Sequence, residues 1–405
     1  MKTAGMIIEY NPMHSGHAYL LEETRRRLGE DAAVVCAMSG DFVQRGGFAI
    51  LRRQARARAA VESGADLVLE LPLPWAVSSA EGFAQGGVSV LHATGLVDYL
   101  AFGSECGCGG TLDNLAAALL SGDFPPALKA ALSKGVSFPA AREAAVAGLL
   151  SPAEAAVLRG PNDNLAVEYR KALLRMNSPI RTLAVRREGA PHDGEAPSGG
   201  RPSASHIRSL LRSGEREKAL SLMTGPMAAA YLAEEAAGRA PVVMETCQRG
   251  ILARLRSMEE AEFALLDGGR EGLHRRLYRV SREAASLEAV LQEAKTKRFT
   301  HARLRRMVLR AYLGLTDTPG EVPYLRVLAA NARGRELLAR MRATASLPVV
   351  TKPADVRRLS GSAQELFRLE ARAADLYALA YPDLRAAAGG SLWRESPVMI
   401  QAAGR

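Results

Sequence analysis

The residues best suited to chemistry stand together near the start of the chain, in Asn11-Pro12-Met13-His14-Ser15-Gly16-His17. Two histidines three residues apart flank a glycine at the point where a helix begins. The first N–H groups of that helix and the positive end of its dipole would face an anion. His14 and His17 would sit beside that anion, and Gly16 would let the backbone approach it without a Cβ in the way. Such a site suits attack on the α-phosphorus of ATP with pyrophosphate leaving. That step needs positioning and charge stabilisation more than covalent help. An isolated H-x-G-H match reads more readily as capping or packing; its place directly after the first strand favours the phosphate site.

Ser203-Ala204-Ser205-His206-Ile207-Arg208 opens a second helix. Alone it reads as an ordinary serine cap. Paired with the first motif, Ser203, Ser205 and Arg208 form a second phosphate site that would hold the pyrophosphate portion. Residues 294–312 carry seven Lys or Arg and no acid. Read as a helix, Thr300, Leu304, Met307, Val308 and Ala311 form its apolar face, and Arg303, Arg306 and Arg310 a basic stripe. That stripe fits either a solvated face or a phosphate backbone.

Other residues point less clearly to function. Asp66, Glu70 and Glu105 lie near strand ends, where a carboxylate either holds Mg²⁺, caps a helix or pairs with arginine. His92, His274 and His301 read as structural or surface residues. Cys106-Gly107-Cys108 has one intervening residue and no second Cys or His pair, so no protein-held metal is expected. No Ser-His-Asp or Cys-His nucleophile arrangement rises above chance.

The elements that must position these residues alternate in the first half. Apolar runs at residues 5–10, 33–38, 66–71, 99–102 and 180–185 read as strands, separated by helical stretches at 16–28, 50–63 and 81–92. Right-handed crossovers between them imply a doubly wound parallel sheet, a Rossmann-like α/β domain spanning 1–215 with a helical insertion at about 111–175. Residues 189–202 read as a mobile loop. Residues 216–405 read as a separate, mainly helical region, with short apolar runs near 242–244 and 347–350.

The 405 residues, 48% hydrophobic and 24% charged, suit two or three globular domains and exclude disordered and fibrous classes. Neither a signal peptide nor a membrane span is evident, so a cytoplasmic protein is expected. A net charge of +10 fits a polyanionic partner or simple basic drift.

Residues 5–17 resemble the opening of the bacterial tRNA(Met) cytidine acetate ligases, members of the HxGH nucleotidyltransferase superfamily. Further resemblance lies in Met38-Ser39-Gly40-Asp41-Phe42-Val43-Gln44-Arg45-Gly46, Gly64-Ala65-Asp66-Leu67-Val68-Leu69-Glu70-Leu71-Pro72 and Phe102-Gly103-Ser104-Glu105. Pro161-Asn162-Asp163-Asn164-Leu165 and Lys295-Thr296-Lys297-Arg298-Phe299-Thr300 complete it, so most of the chain is covered. The resemblance implies activation of acetate as acetyl-adenylate, then transfer to the wobble cytidine of elongator tRNA(Met), giving N(4)-acetylcytidine. It implies ATP contacts at Ile7, Ile8, Glu9, Tyr10, Asn11, Pro12, Met13, His14, Ser15, Gly16, His17, Ala18, Tyr19 and Leu20, and at Gly103, Asn162 and Arg187. Mg²⁺ is expected with ATP, and no protein partner. With the resemblance, the basic stretch becomes a tRNA contact through Lys295, Lys297, Arg298, Arg303, Arg306 and Arg310, with Phe299 or Tyr312 stacking on a base.

Met13, Ser15, Gly47-Phe48, Arg52-Arg53-Gln54 and Asp163-Asn164 depart from the family pattern. Two rival readings are a small-molecule adenylyltransferase of cofactor synthesis and a non-catalytic RNA-binding protein.

Overall fold

A computed structural model describes residues 1–187, 202–266, 272–296, 299–316 and 320–401. The sheet is built on β1 (Thr3–Ile8), β2 (Ala33–Ser39), β5 (Leu67–Leu71), β6 (Tyr99–Ser104) and β7 (Arg181–Arg186). All five run parallel, in the order β5-β2-β1-β6-β7. The apolar runs of β1, β2, β5 and β6 do not alternate with polar residues because both faces are covered, whereas the edge strand β7 is largely half-buried. Along β2, Ala33, Val35 and Ala37 enter one core, while Val34, Cys36 and Met38 enter the other.

The chain builds outward from β1 through β2 to β5, then crosses to the other side of β1 to lay down β6 and β7. Strand order therefore reverses at β1 and β6. In open α/β sheets, a crevice forms at that point beyond the carboxyl ends of the strands. The helix α1 (Ser15–Leu28) starts there.

Residues 109–175 are helical, from Gly109–Leu120 to Pro161–Arg175. Helices also fill most of the described chain from Ala204–Arg212 to His301–Leu313. A third core packs many of these later helices against the hairpin of β3 (Phe42–Val43) and β4 (Gly47–Phe48), through Phe42, Phe48 and Tyr377.

The region after residue 215 also returns to the sheet. β8 (Leu325–Ala330) pairs antiparallel with β5, and β9 (Val349–Val350) and β10 (Val398–Met399) pair parallel with β8. The expected boundary near 215 therefore does not divide the sheet. β8 carries Arg326, which is 7% exposed and donates to Glu70 on β5 at 2.7 Å. Of the two short apolar runs, the second forms β9, while the first leads into a 3₁₀ turn, Met244–Cys247. No described helix is long and apolar enough to cross a membrane.

Candidate active site

The β1–α1 turn is held by its own histidines. His14 is the N-cap of α1: its Nδ1 accepts from Gly16 N–H at 3.1 Å, and His17 Nδ1 accepts from His14 N–H at 3.3 Å. This is a capping box made with two imidazoles where Ser or Thr with Glu is usual. Because both Nδ1 atoms accept, the neutral rings carry their protons on Nε2, which makes each a donor. The rings lie 3.9 Å apart at 35°, and the Tyr10 ring is 5.0 Å from that of His17. The first turn of α1 holds no acid, so no side chain of that turn offsets its positive end. Behind the turn, Asn11 Oδ1 accepts from Ile50 N–H at 2.8 Å, and Thr224 N–H reaches the Met13 carbonyl at 3.2 Å.

The second motif meets the first directly. Arg208 donates to the Asn11 carbonyl at 2.5 Å and to Ser205 Oγ at 3.3 Å. Ser203 differs from the expectation of a phosphate ligand: its hydroxyl accepts from His206 N–H at 3.1 Å and caps its own helix. Burial lowers the Arg208 pKa to about 10, opposed by Glu9 and reinforced by the like charges of Arg212, Arg45 and Arg305. Surplus positive charge at that point would be relieved by a bound anion.

Opposite the histidines, the end of β6 is fixed by carboxylates. Asp163, 2% exposed, accepts from Ser104 Oγ at 2.5 Å and from the N–H groups of Glu105 and Cys106 at 3.0 and 2.9 Å. Glu105 accepts in return from Asn162 Nδ2 at 2.5 Å and from Asp163 N–H at 2.8 Å, so it tethers the start of helix Pro161–Arg175. This reciprocal clamp sets Gly103 and Asn162 at the crevice.

The cleft has a volume of about 620 Å³, within the usual range for a small-molecule site. Ile7, Ile8, Glu9, Tyr10, Asn11, His14, Gly16, His17, Tyr19 and Leu20 line it, as do Gly103, Asn162, Arg187, Ser205 and Arg208. Pro12, Met13, Ser15 and Ala18, from the segment expected to contact ATP, are not in its walls; Met13 is fully buried. Sequence reasoning missed an apolar wall of Phe83, Phe102, Leu165 and Tyr169. Phe102 and Leu165 stand in segments that resemble the family, but nothing local marks Phe83 or Tyr169 or joins the four, since Phe102 meets Leu165 and Tyr169 only after helix Pro161–Arg175 packs on β6.

The rim is where the sequence reading needs most revision. Gly46, at φ 77°, has no room for a side chain, because a Cβ there would meet the backbone of Arg305 and Arg306. The Gln44-Arg45-Gly46 turn is therefore seated on the basic helix His301–Leu313, and Arg306 donates to the Gln44 carbonyl at 3.4 Å. Arg45, Arg305, Arg306, Thr300 and His301 consequently line the cleft, although His301 was expected to be structural or on the surface. Arg310 departs from the expected exposed stripe: it is 8% exposed, because the last turns of this helix are covered on all sides. Phe299 and Tyr312 are buried in the third core, so neither is free to stack on a base, and Arg303 lies over the Phe299 ring at 5.3 Å. Lys295 is exposed; Lys297 and Arg298, like the loop 189–201, lie outside the described residues.

Asp66 and Glu70 are committed elsewhere. Asp66 accepts from Val34 N–H at 2.8 Å and pairs with Arg25 at 3.0 Å, while Glu70 pairs with Arg326. Among the described residues, no three His, Cys, Asp or Glu are grouped as metal ligands. Among the described residues, Glu9 is the one carboxylate lining the cleft. It accepts from Gln44 N–H at 2.7 Å and has Arg208, Arg56 and Arg45 around it. That donor set does not fit a protein-held Mg²⁺.

A parallel sheet with a crevice at its switch point and an H-x-G-H turn on the first crossover defines a nucleotidyltransferase. The family model described as HIGH Nucleotidyl Transferase matches residues 1–390. The chain is 35% identical over 400 residues to the tRNA(Met) cytidine acetate ligase of Acetivibrio thermocellus, covering 94% of this chain and 95% of that one. It is 34% identical to the protein of the same name from Halothermothrix orenii, covering 95% and 96%. A crystal structure of Thermotoga maritima TmcAL bound with alpha-thio ATP superposes with a TM-score of 0.92 at 32% identity, over 99% of this chain and 100% of that one. The apo form of the same protein gives 0.95, with the same identity and coverage. The chain belongs to the tRNA(Met) cytidine acetate ligase family.

Proposed function

We propose that this chain is an ATP-dependent ligase that converts acetate to acetyl-adenylate and transfers the acetyl group to the wobble cytidine of elongator tRNA(Met). One observation carries the reading. The histidine turn and the Arg45, Arg305 and Arg306 rim belong to a single cleft, so a small activated intermediate and a polyanion would meet in one place. The names of the relatives supply the acid and the RNA.

In the first step an acetate oxygen attacks the α-phosphorus, and the bond to the β-phosphate breaks. His14 and His17, each protonated on Nε2, and the N-terminal N–H groups of α1 stabilise charge on the α-phosphate oxygens. Arg208 and Ser205 hold the departing pyrophosphate, and Ser203 positions them by capping their helix. Gly103, Asn162, Arg187 and, from the segment 7–20, Ile7, Ile8, Glu9, Tyr10, Asn11, His14, Gly16, His17, Tyr19 and Leu20 surround the nucleotide. Mg²⁺ would arrive on the ATP phosphates, since Glu9 with its arginine neighbours offers no cation site of its own. Lys295, Arg303, Arg305 and Arg306 receive the tRNA backbone, with Lys297 and Arg298 from the same segment. A tRNA substrate and ATP fit a cytoplasmic enzyme.

The test is mass spectrometry of nucleosides from tRNA incubated with the protein, ATP and acetate. N(4)-acetylcytidine dependent on all three supports the reading; label that stays on a small molecule sinks it in favour of a cofactor-synthesis adenylyltransferase. Replacing His14 or His17 by alanine is expected to slow acetate-dependent pyrophosphate release by roughly 10²–10³-fold, as for loss of one transition-state donor.

A further inference from the structure

Attack by an exocyclic cytidine amine on acetyl-adenylate has a requirement that neither the histidine turn nor the arginine rim meets. As the N4 lone pair forms the C–N bond to the carbonyl carbon, the C–O bond to the AMP phosphate breaks and AMP leaves with that electron pair. The nitrogen must then give up one proton. A side chain positioned to accept it contributes typically about 10²–10⁴-fold. The cleft walls are rich in donors that cannot do this: Arg45, Arg186, Arg187, Arg208, Arg305 and Arg306. His14 and His17 are already bound through Nδ1 to backbone N–H groups, with the proton on Nε2.

Glu9 is different. Among the described residues it is the one carboxylate lining the cleft, and it stands at the carboxyl end of β1, two residues before the Asn11 that anchors Arg208. Its placement is determined from several sides. Gln44 N–H donates to Oε1 at 2.7 Å, fixing the carboxylate to the β3–β4 turn, and Arg56 donates to the Glu9 carbonyl at 2.5 Å. Glu9 thus lies where the nucleotide turn and the RNA rim come together. One oxygen is used for positioning by Gln44, and the second belongs to the same rigidly held group.

We propose that Glu9 accepts the N4 proton of the target cytidine during acetyl transfer. This rests on the function proposed above and adds a role beyond nucleotide contact. A carboxylate oxygen is also the acceptor that matches a cytosine amine and mismatches the carbonyl that uracil carries at the same position. Glu9 therefore selects cytidine as well as deprotonating it, and the proton passes to water when product leaves. Burial pushes the Glu9 carboxyl up from its ordinary value, while Gln44 N–H, Arg208, Arg56 and Arg45 pull it back. The Tyr169 phenol on the opposite wall also senses its charge. A carboxylate so placed is a better proton acceptor at neutral pH than an exposed one.

The decisive variant is Glu9→Gln, which keeps an oxygen for Gln44 N–H and removes the proton acceptor. Two half-reactions are read separately: acetate-dependent pyrophosphate release without tRNA, and single-turnover acetyl transfer from preformed acetyl-adenylate to tRNA. Expected is transfer slowed by about 10²–10³-fold, within the span for a positioned base, with the loss in transfer exceeding any loss in pyrophosphate release by at least about tenfold. The acidic limb of the transfer pH profile should vanish, and Glu9→Asp should recover part of the rate. Transfer at the wild-type rate overturns the proposal. So does equal loss of both half-reactions, which would make Glu9 a nucleotide ligand only. Failure of the wild-type protein to release pyrophosphate with acetate would instead overturn the function on which the proposal rests.

Discussion

Replacing Gly46 by alanine separates the seating of the RNA rim from the chemistry at the histidine turn. Gly46 has φ of 77°, and a Cβ added there would lie against Arg306 N and the Arg305 carbonyl carbon. Placing an L residue in the left-handed region costs roughly 1–2 kcal/mol. Forcing a methyl group into filled space adds about 1–3 kcal/mol. The obstacle is helix backbone, which cannot rotate away like a side-chain tip, so both costs apply and total about 2–5 kcal/mol. The chain can meet that cost by losing global stability or by lifting the Gln44-Arg45-Gly46 turn from helix His301–Leu313. Lifting would carry Arg45 away from Arg305 and Arg306 and loosen the Gln44 N–H that holds Glu9.

Urea denaturation and the two half-reactions distinguish these outcomes. Gly46→Ala is expected either to lose about 2–5 kcal/mol of unfolding free energy or to raise the tRNA KM at least tenfold with tRNA-free pyrophosphate release little changed. Gly47→Ala is the control. Its added Cβ meets only Val43 Cγ2, at 3.8 Å, and its φ is not positive. If Gly46→Ala and Gly47→Ala behave alike in both stability and tRNA KM, the turn is not seated as described.

Other perturbations probe the rim, the β6 clamp and the buried charge. Each of Arg45→Ala, Arg305→Ala and Arg306→Ala should reduce the slope of log affinity for tRNA against log salt by about 0.7–0.9; three unchanged slopes would exclude this face as the phosphate contact. Asp163→Ala leaves the Ser104 hydroxyl and two backbone N–H groups without their acceptor, and should cost about 2–4 kcal/mol in chemical denaturation, where a loss below ~1 kcal/mol would refute the clamp. Glu370 is pushed up to about 7 by burial and by the charge of Glu70, against hydrogen bonds from Tyr324 and Leu73. The folded state then holds the extra proton between the ordinary value near 4.5 and about 7, so its contribution to stability is present at low pH and lost as pH rises through that window. Glu370→Gln should flatten thermal stability across it; an identical slope in both proteins would count against this assignment.

What could be read from the sequence divides by the range of the interactions involved. β1, β2, β5, β6 and β7 fall within about two residues of the apolar runs that announce them, the first four because strands buried on both faces cannot hide their composition. The turn at residues 11–17 is likewise local: strand, imidazoles, glycine and helix start follow one another directly. β8 was missed because its arginine interrupts an apolar run. Arg326 is tolerated there through Glu70, 256 residues away in the chain, and through Glu395 at 3.8 Å. In the basic helix Leu304, Met307, Val308 and Ala311 are buried as expected, whereas Thr300 is the exposed N-cap and Arg310 was placed on the wrong face. Helical periodicity assigns one face to solvent, whereas helices Gln248–Ser257 and Gly361–Ala378 both pack on this one. Arg310 is enclosed as a result, and Arg305 takes its place at the cleft.

The departures at residues 52–54 carry the same point to the site itself. Arg53 binds Asp41 at 2.8 Å through both its N–H and its guanidinium, and reaches Glu395 at 3.3 Å. Arg52 pairs with Glu234 at 2.9 Å, and Gln54 donates to Glu395. Arg53 also reaches Glu70 at 3.6 Å, but Glu234 and Glu395 lie beyond residue 215, in the region that reads from sequence as a separate unit. Asp41 opens the β3–β4 hairpin, so this buried network joins the chain's last strands to the hairpin that presents Arg45 and positions Glu9. A buried carboxylate whose cation is removed costs about 3–5 kcal/mol. Residues 52–54 can therefore vary from the family pattern only in company with residues 234 and 395, a coupling that no local motif can express.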